Sequence, residues 1–257
     1  MVDVDFGRTA SDYVQYRTGF PEGIYEELSA RGIGVRGQRV LDIGTGTGTM
    51  AREFARRGCE VVGLDPSEEL IAEARRIDAE QDLRIEYVIG TAERTRLDAR
   101  SFDVVSAGQC WYWLDRPKAV REIKRVLRPE GLLVIAQFDW IPLPGNAVEA
   151  TEELIEKYNP EWRLGGGTGL HYEWMRDVRA AGLEDIRTLS FDQNVVFSHE
   201  AWRGRVRASA GVRASMSPDM VARFDENLRA MLVERFTEDP LALPHCAWVM
   251  HARLPAG

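Results

Sequence analysis

From Arg39 to Gln137 short runs rich in Val, Ile and Leu alternate with longer stretches of helical periodicity. A chain patterned this way builds βαβ units, and their right-handed crossovers lay the strands into a mostly parallel sheet. The pattern predicts strands at 39–43, 59–64, 84–89, 102–107 and 131–137. Helices are predicted at 49–57, 67–78 and 116–127, the first stopped by Gly58 after Arg56 and Arg57. A turn at Pro129, Glu130 and Gly131 precedes the fifth strand. Beyond Asp139 the alternation loosens. Helices are predicted at 147–158, 173–181, 201–210 and 218–236, with strands at 185–197 and 244–254 that could pair at one edge of the sheet. Gly165, Gly166, Gly167 and Gly169 form a patch read as an adaptable piece or lid.

The chain has 257 residues, room for one elaborated domain or two small ones. With 44% apolar and 29% charged residues it is patterned as an ordinary globular protein. Lys plus Arg number 33 against 41 Asp plus Glu, a net charge of −8 that repels phosphate backbones and anionic membranes. Nucleic acid and membrane are therefore not expected partners. Cys59, Cys110 and Cys246 are odd in number and in no ligand spacing, as in a reduced cytoplasmic protein. His171, His199, His245 and His251 have no metal-ligand spacing, so no metal is expected.

The strongest local signal is Asp42-Ile43-Gly44-Thr45-Gly46-Thr47-Gly48, where a buried strand turns into a helix. Glycines at alternate positions let the backbone turn tightly and approach a ligand that a Cβ would exclude. Asp65 closes the second strand, where a carboxylate can accept both hydroxyls of a ribose. Together they indicate a nucleoside site. A dinucleotide fingerprint needs its third glycine where this chain has Thr49, and the charge of Asp42 disfavours a pyrophosphate while suiting an ammonium. S-adenosylmethionine fits better than NAD. An NAD-dependent oxidoreductase and a non-catalytic nucleoside-binding module are the alternatives.

At this point the sequence resembles the class I S-adenosylmethionine-dependent methyltransferases with small-molecule acceptors. Val40 to Gly48 resembles the glycine loop of that family, Val62-Gly63-Leu64-Asp65 its ribose-binding strand end, and Gly90-Thr91-Ala92-Glu93 the turn along adenine. Gln109-Cys110-Trp111-Tyr112-Trp113-Leu114-Asp115 resembles a trans-aconitate methyltransferase-like subgroup, which has His where this chain has Tyr112. The resemblance implies a Rossmann-like α/β fold: a mostly parallel seven-stranded sheet, helices on both faces and a C-terminal helical insertion. It divides the chain into an N-terminal helical segment closing over the cofactor (1–38), a core (39–140), and a lid, helical substrate region and final strands of the same domain (141–257). Cofactor contacts are expected from Arg17, Asp42, Gly44, Thr45, Gly46, Gly48, Asp65, Pro66, Thr91, Ala92, Glu93, Gln109 and Cys110.

Methyl transfer needs the two reactants oriented and water excluded, and a general base only if the acceptor must lose a proton. His171, beside the glycine patch, and Tyr112 are the candidate catalytic groups. Tyr13, Trp111, Tyr112, His171, Arg203 and Arg207 are the candidate acceptor contacts, the arginines for a carboxylate or phosphate. The sequence leaves open a monomer or a homodimer.

Overall fold

The structure is a computed structural model that describes residues 19–212 and 215–256. Arg17, Tyr13 and the first 18 residues of the N-terminal segment expected over the cofactor lie outside the described residues. Two compact units emerge. One comprises 19–138, 171–191 and 247–256; the other comprises 139–170 and 192–246.

The elements, in chain order, are α1 (Glu22–Ala30), β1 (Arg39–Ile43), α2 (Thr49–Arg56), β2 (Glu60–Asp65), α3 (Glu68–Glu80), β3 (Glu86–Ile89) and β4 (Phe102–Gly108). After a 3-10 turn at Trp111–Trp113 come α4 (Arg116–Val126), β5 (Leu127–Trp140), α5 (Ala147–Tyr158), α6 (Trp174–Ala180), β6 (Glu184–Phe197), α7 (His199–Arg207), α8 (Pro218–Arg235) and β7 (Leu241–Arg253). The seven strands form one sheet in the order β3-β2-β1-β4-β5-β7-β6. The pairs from β3 through β5 are parallel. β7 runs against β5: Glu130 and Gly131 bond Leu254, while Ile141 bonds Pro244. This is the Rossmann-like fold expected of class I methyltransferases, with the last two strands at one edge.

Local chemistry sets the helix starts. Ser67 caps α3 by accepting from Leu70 N–H, and Glu68 and Glu69 sit in its first turn, where the dipole favours anions. Asp115, Asn146, Ser198 and Ser217 cap α4, α5, α7 and α8 in the same way. The ends of the strands differ from the sequence pattern. β5 begins at Leu127, not Gly131, because the expected turn is absorbed as an irregularity: Phe102 faces Leu127, but Val104 faces Leu132, and Glu130 adopts φ 66°. β7 begins three residues before the expected Pro244.

In the second unit α5, α7 and α8 bury Val148, Ile155, Trp202, Phe224 and Leu228 together. Trp202 donates its indole N–H to Thr151 at 3.0 Å, so the polar atom of a fully buried ring is satisfied. The glycine patch is anchored here: Gly166 N–H donates to Glu152 at 2.8 Å, and a Cβ on Gly169 would lie 2.4 Å from that of Cys246. No helix among the described residues is long and apolar enough to cross a membrane.

Candidate active site

The site is built on the carboxyl ends of parallel strands, where open α/β sheets bind ligands. Gly44, Gly46 and Gly48 adopt φ of 60°, 56° and 81°, a left-handed path that side chains disfavour. Close approach adds to this. A Cβ on Gly44 would come within 2.6 Å of the Cys110 Cβ, and one on Gly48 within 2.3 Å of the Tyr87 hydroxyl. The backbone closes on itself and on β2, with Gly48 N–H donating to Thr45 O and Thr45 N–H to Leu64 O.

Two carboxylates hold this loop. Asp42 is almost fully buried, accepting from the Thr45 hydroxyl and from the Ser106 hydroxyl, both at 2.6 Å. Burial pushes its carboxyl up to about 6, against the pull of those two hydroxyls. Both its oxygens thus bond protein hydroxyls in this conformation, and its influence on a ligand at the loop is through charge. Asp65 accepts from Gly46 N–H at 2.8 Å with one oxygen and from Ser67 N–H at 2.9 Å with the other. Burial raises its pKa, partly offset by those two backbone bonds. Each oxygen keeps a lone pair for a second donor, as a ribose diol requires. Pro66, exposed, follows at the start of the turn into α3.

The third expected piece adjoins the second. Asp65 pairs with Ile89 across β2 and β3, and Gly90 N–H donates to Asp65 O at 3.1 Å. Thr91 forms a bridge with Arg94, Ala92 is buried, and Glu93 accepts from Asp115 N–H at 2.9 Å. At the end of β4, Gln109 adopts φ 53° and donates its amide to Phe138 O, while the Cys110 thiol donates to Ile43 O at 3.2 Å. The glycine loop, Asp65, the turn at Gly90 to Glu93 and the β4 end are therefore joined by direct hydrogen bonds.

Of the three aromatics after β4, Trp111 is fully buried, while Tyr112 and Trp113 are 38% and 39% exposed. Trp111, expected at the acceptor, is a core side chain here. Tyr112 and His171, 59 positions apart, come together: the phenol oxygen lies 3.1 Å from His171 Nδ1. Trp174 stacks flat on the imidazole, with centroids 4.2 Å apart, and Trp248 closes its edge. His171 is therefore a buried, oriented group rather than a loose loop histidine. Arg203 and Arg207, expected to receive a substrate anion, share Asp225 and Glu200 instead, with Arg207 Nη1 2.6 Å from Asp225. A substrate carboxylate would have to compete with those two. Among the described residues no cluster could hold a metal ion.

The sequence pattern did not single out Arg52, Ser106 or Trp248. A hydroxyl within the apolar run of β4 and a cation near the start of α2 were the available signals.

Residues 41–135 match the family model described as a methyltransferase domain. That stretch runs from β1 into β5. The chain is 34% identical over 132 residues to an uncharacterized methyltransferase of Mycobacterium bovis, covering 51% of each protein. It is 36% identical over 140 residues to the malonyl-acyl-carrier-protein O-methyltransferase of Enterobacter lignolyticus, covering 54% of each. The matched stretch thus spans about half the length of these curated relatives. The YcgJ protein from Bacillus subtilis superposes with a TM-score of 0.59 at 21% identity, covering 90% of this chain and 98% of that one, and shares the fold.

Proposed function

We propose that this protein is an S-adenosylmethionine-dependent methyltransferase that moves a methyl group to O, N or C of a small-molecule acceptor. The observation that carries the reading is the loop of three left-handed glycines tied to Asp65, an arrangement suited to a nucleoside, with the buried carboxyl of Asp42 beside it disfavouring a pyrophosphate. The residues fit the cofactor: Asp65 would accept the ribose hydroxyls, the turn at Thr91, Ala92 and Glu93 would lie along adenine, and Gly44 to Gly48 would cradle the amino-acid end under the field of Asp42. Gln109 and Cys110 would border it, and Arg17 would meet its carboxylate. When bound, the cofactor supplies an electrophilic methyl carbon on a sulfonium sulfur. The protein's own part is to orient the acceptor in line with that carbon and to exclude water.

Tyr112 and His171 are the groups to hold or remove an acceptor proton. Their support is geometric: a phenol in hydrogen-bond reach of an imidazole that Trp174 fixes by stacking. An oxygen acceptor accords with the name of the Enterobacter relative. The finer reading, a trans-aconitate-like enzyme with a carboxylate-bearing acceptor, rests on the segment 109–115 and on Arg203 and Arg207.

Isothermal calorimetry tests the cofactor. S-adenosylhomocysteine is expected to bind at micromolar levels and NADH not to bind; the reverse would replace the reading with a nicotinamide-dependent oxidoreductase. Tight binding without transfer to any member of a broad acceptor panel, followed with labelled cofactor, would favour a non-catalytic nucleoside module.

A further inference from the structure

Three successive residues of the glycine loop are each gripped by an ionisable side chain. The Thr45 hydroxyl donates to Asp42, Gly46 N–H donates to Asp65, and the Thr47 carbonyl accepts from Arg52 at 2.6 Å. The first two grips belong to the site already described; the third does not. Arg52 Nη1 also reaches Asp78 Oδ1, in the last turn of α3, at 3.2 Å, and the two side chains are only 10% and 6% exposed. Gly48 lies against this pair: a Cβ there would stand 2.9 Å from Arg52 Nη1.

Neither helix energetics nor net stabilisation explains the arrangement. A cation near the start of α2 opposes the helix dipole. Burying an ion pair costs desolvation that its attraction only partly returns. What the pair does supply is orientation, because one guanidinium nitrogen pins a loop carbonyl and a helix carboxylate together. We propose that Arg52, oriented by Asp78, is a positioning residue of the nucleoside cradle. It fixes the Thr47 peptide so that the loop holds its binding conformation before any ligand arrives, a saving in ordering entropy at the moment of binding. The proposal rests on reading the loop as the S-adenosylmethionine site.

The test combines S-adenosylhomocysteine calorimetry, thermal unfolding and amide hydrogen exchange on Arg52→Met, Arg52→Lys and Asp78→Asn. Arg52→Met is expected to weaken binding about tenfold or more, as for a lost charge-assisted hydrogen bond. Exchange across 45–48 in the ligand-free protein is expected to quicken. Arg52→Lys is expected to stay within about threefold of the wild type, since one ammonium can serve both acceptors. A folded Arg52→Met with wild-type affinity, or unchanged exchange, overturns the proposal, as does Arg52→Lys binding as weakly as Arg52→Met. Should Arg52→Met not fold, Asp78→Asn decides: weakening with faster exchange supports the anchor, and wild-type behaviour sinks it. Wild-type protein that fails to bind S-adenosylhomocysteine at all counts against the methyltransferase reading, and the exchange measurement then judges the anchor separately.

Discussion

Asp42 is a buried carboxyl whose ionisation costs the fold stability. Its folded pKa of about 6 stands above the usual value of 3.8. A raised carboxyl pKa means the folded state binds more protons between those values, so stability falls as pH rises from about 4 to about 6. Asp42→Asn is expected to abolish that slope, measured by urea unfolding across pH. The same variant is expected to bind S-adenosylhomocysteine more weakly, since the charge that suits an ammonium is gone. Asp65→Ala is expected to weaken binding about tenfold or more by calorimetry, and unchanged affinity would place the ribose elsewhere. If His171 takes the acceptor's proton as proposed, His171→Asn is expected to lower kcat about a hundredfold with KM for the cofactor unchanged. An unaltered kcat would mean the acceptor arrives already deprotonated. The loop residues were legible in the sequence because glycine spacing and a strand-end acid are local signals. The Tyr112–His171 contact was not, since their partnership depends on packing by Trp174 and Trp248 across long sequence separations.

Among the elements, helix starts were the most legible: α2, α4, α5 and α8 begin at the expected 49, 116, 147 and 218. Strand ends were less so. The Pro129–Gly131 turn is a sound reading of local chemistry, but pairing with β4 and β7 draws the strand back through it. The arginines of α7 illustrate another gap. Their helical spacing was visible, yet Asp225 on α8 was not identifiable as their partner from spacing alone. Asp225→Ala would remove the carboxylate that two largely buried guanidinium groups share, so a loss of about 1–3 kcal/mol is expected in chemical denaturation. Within the glycine loop, Gly46→Val is expected to abolish cofactor binding with the fold retained, as judged by circular dichroism beside calorimetry.

On the scale of the whole molecule, the βαβ alternation was enough to give the class of fold. The place of the last two strands at one edge was legible as well; the grouping of 171–191 with 19–138 was not, because it depends on packing between distant segments rather than on local pattern. Binding to the folded state is a whole-molecule effect by linkage. A hundredfold excess of S-adenosylhomocysteine over its Kd is expected to add about 2.7 kcal/mol, which for a chain of this size lifts Tm by roughly 5 °C. NADH at the same concentration is expected to leave Tm unmoved. The split of the aromatic turn after β4, with Trp111 inside and Trp113 partly outside, has an optical consequence. An indole standing partly in water emits at longer wavelength than its shielded counterparts. Trp113 donates its backbone N–H to Cys110, whose thiol bonds the end of the strand before the glycine loop, so a blue shift on adding ligand is expected to follow occupancy without any dye.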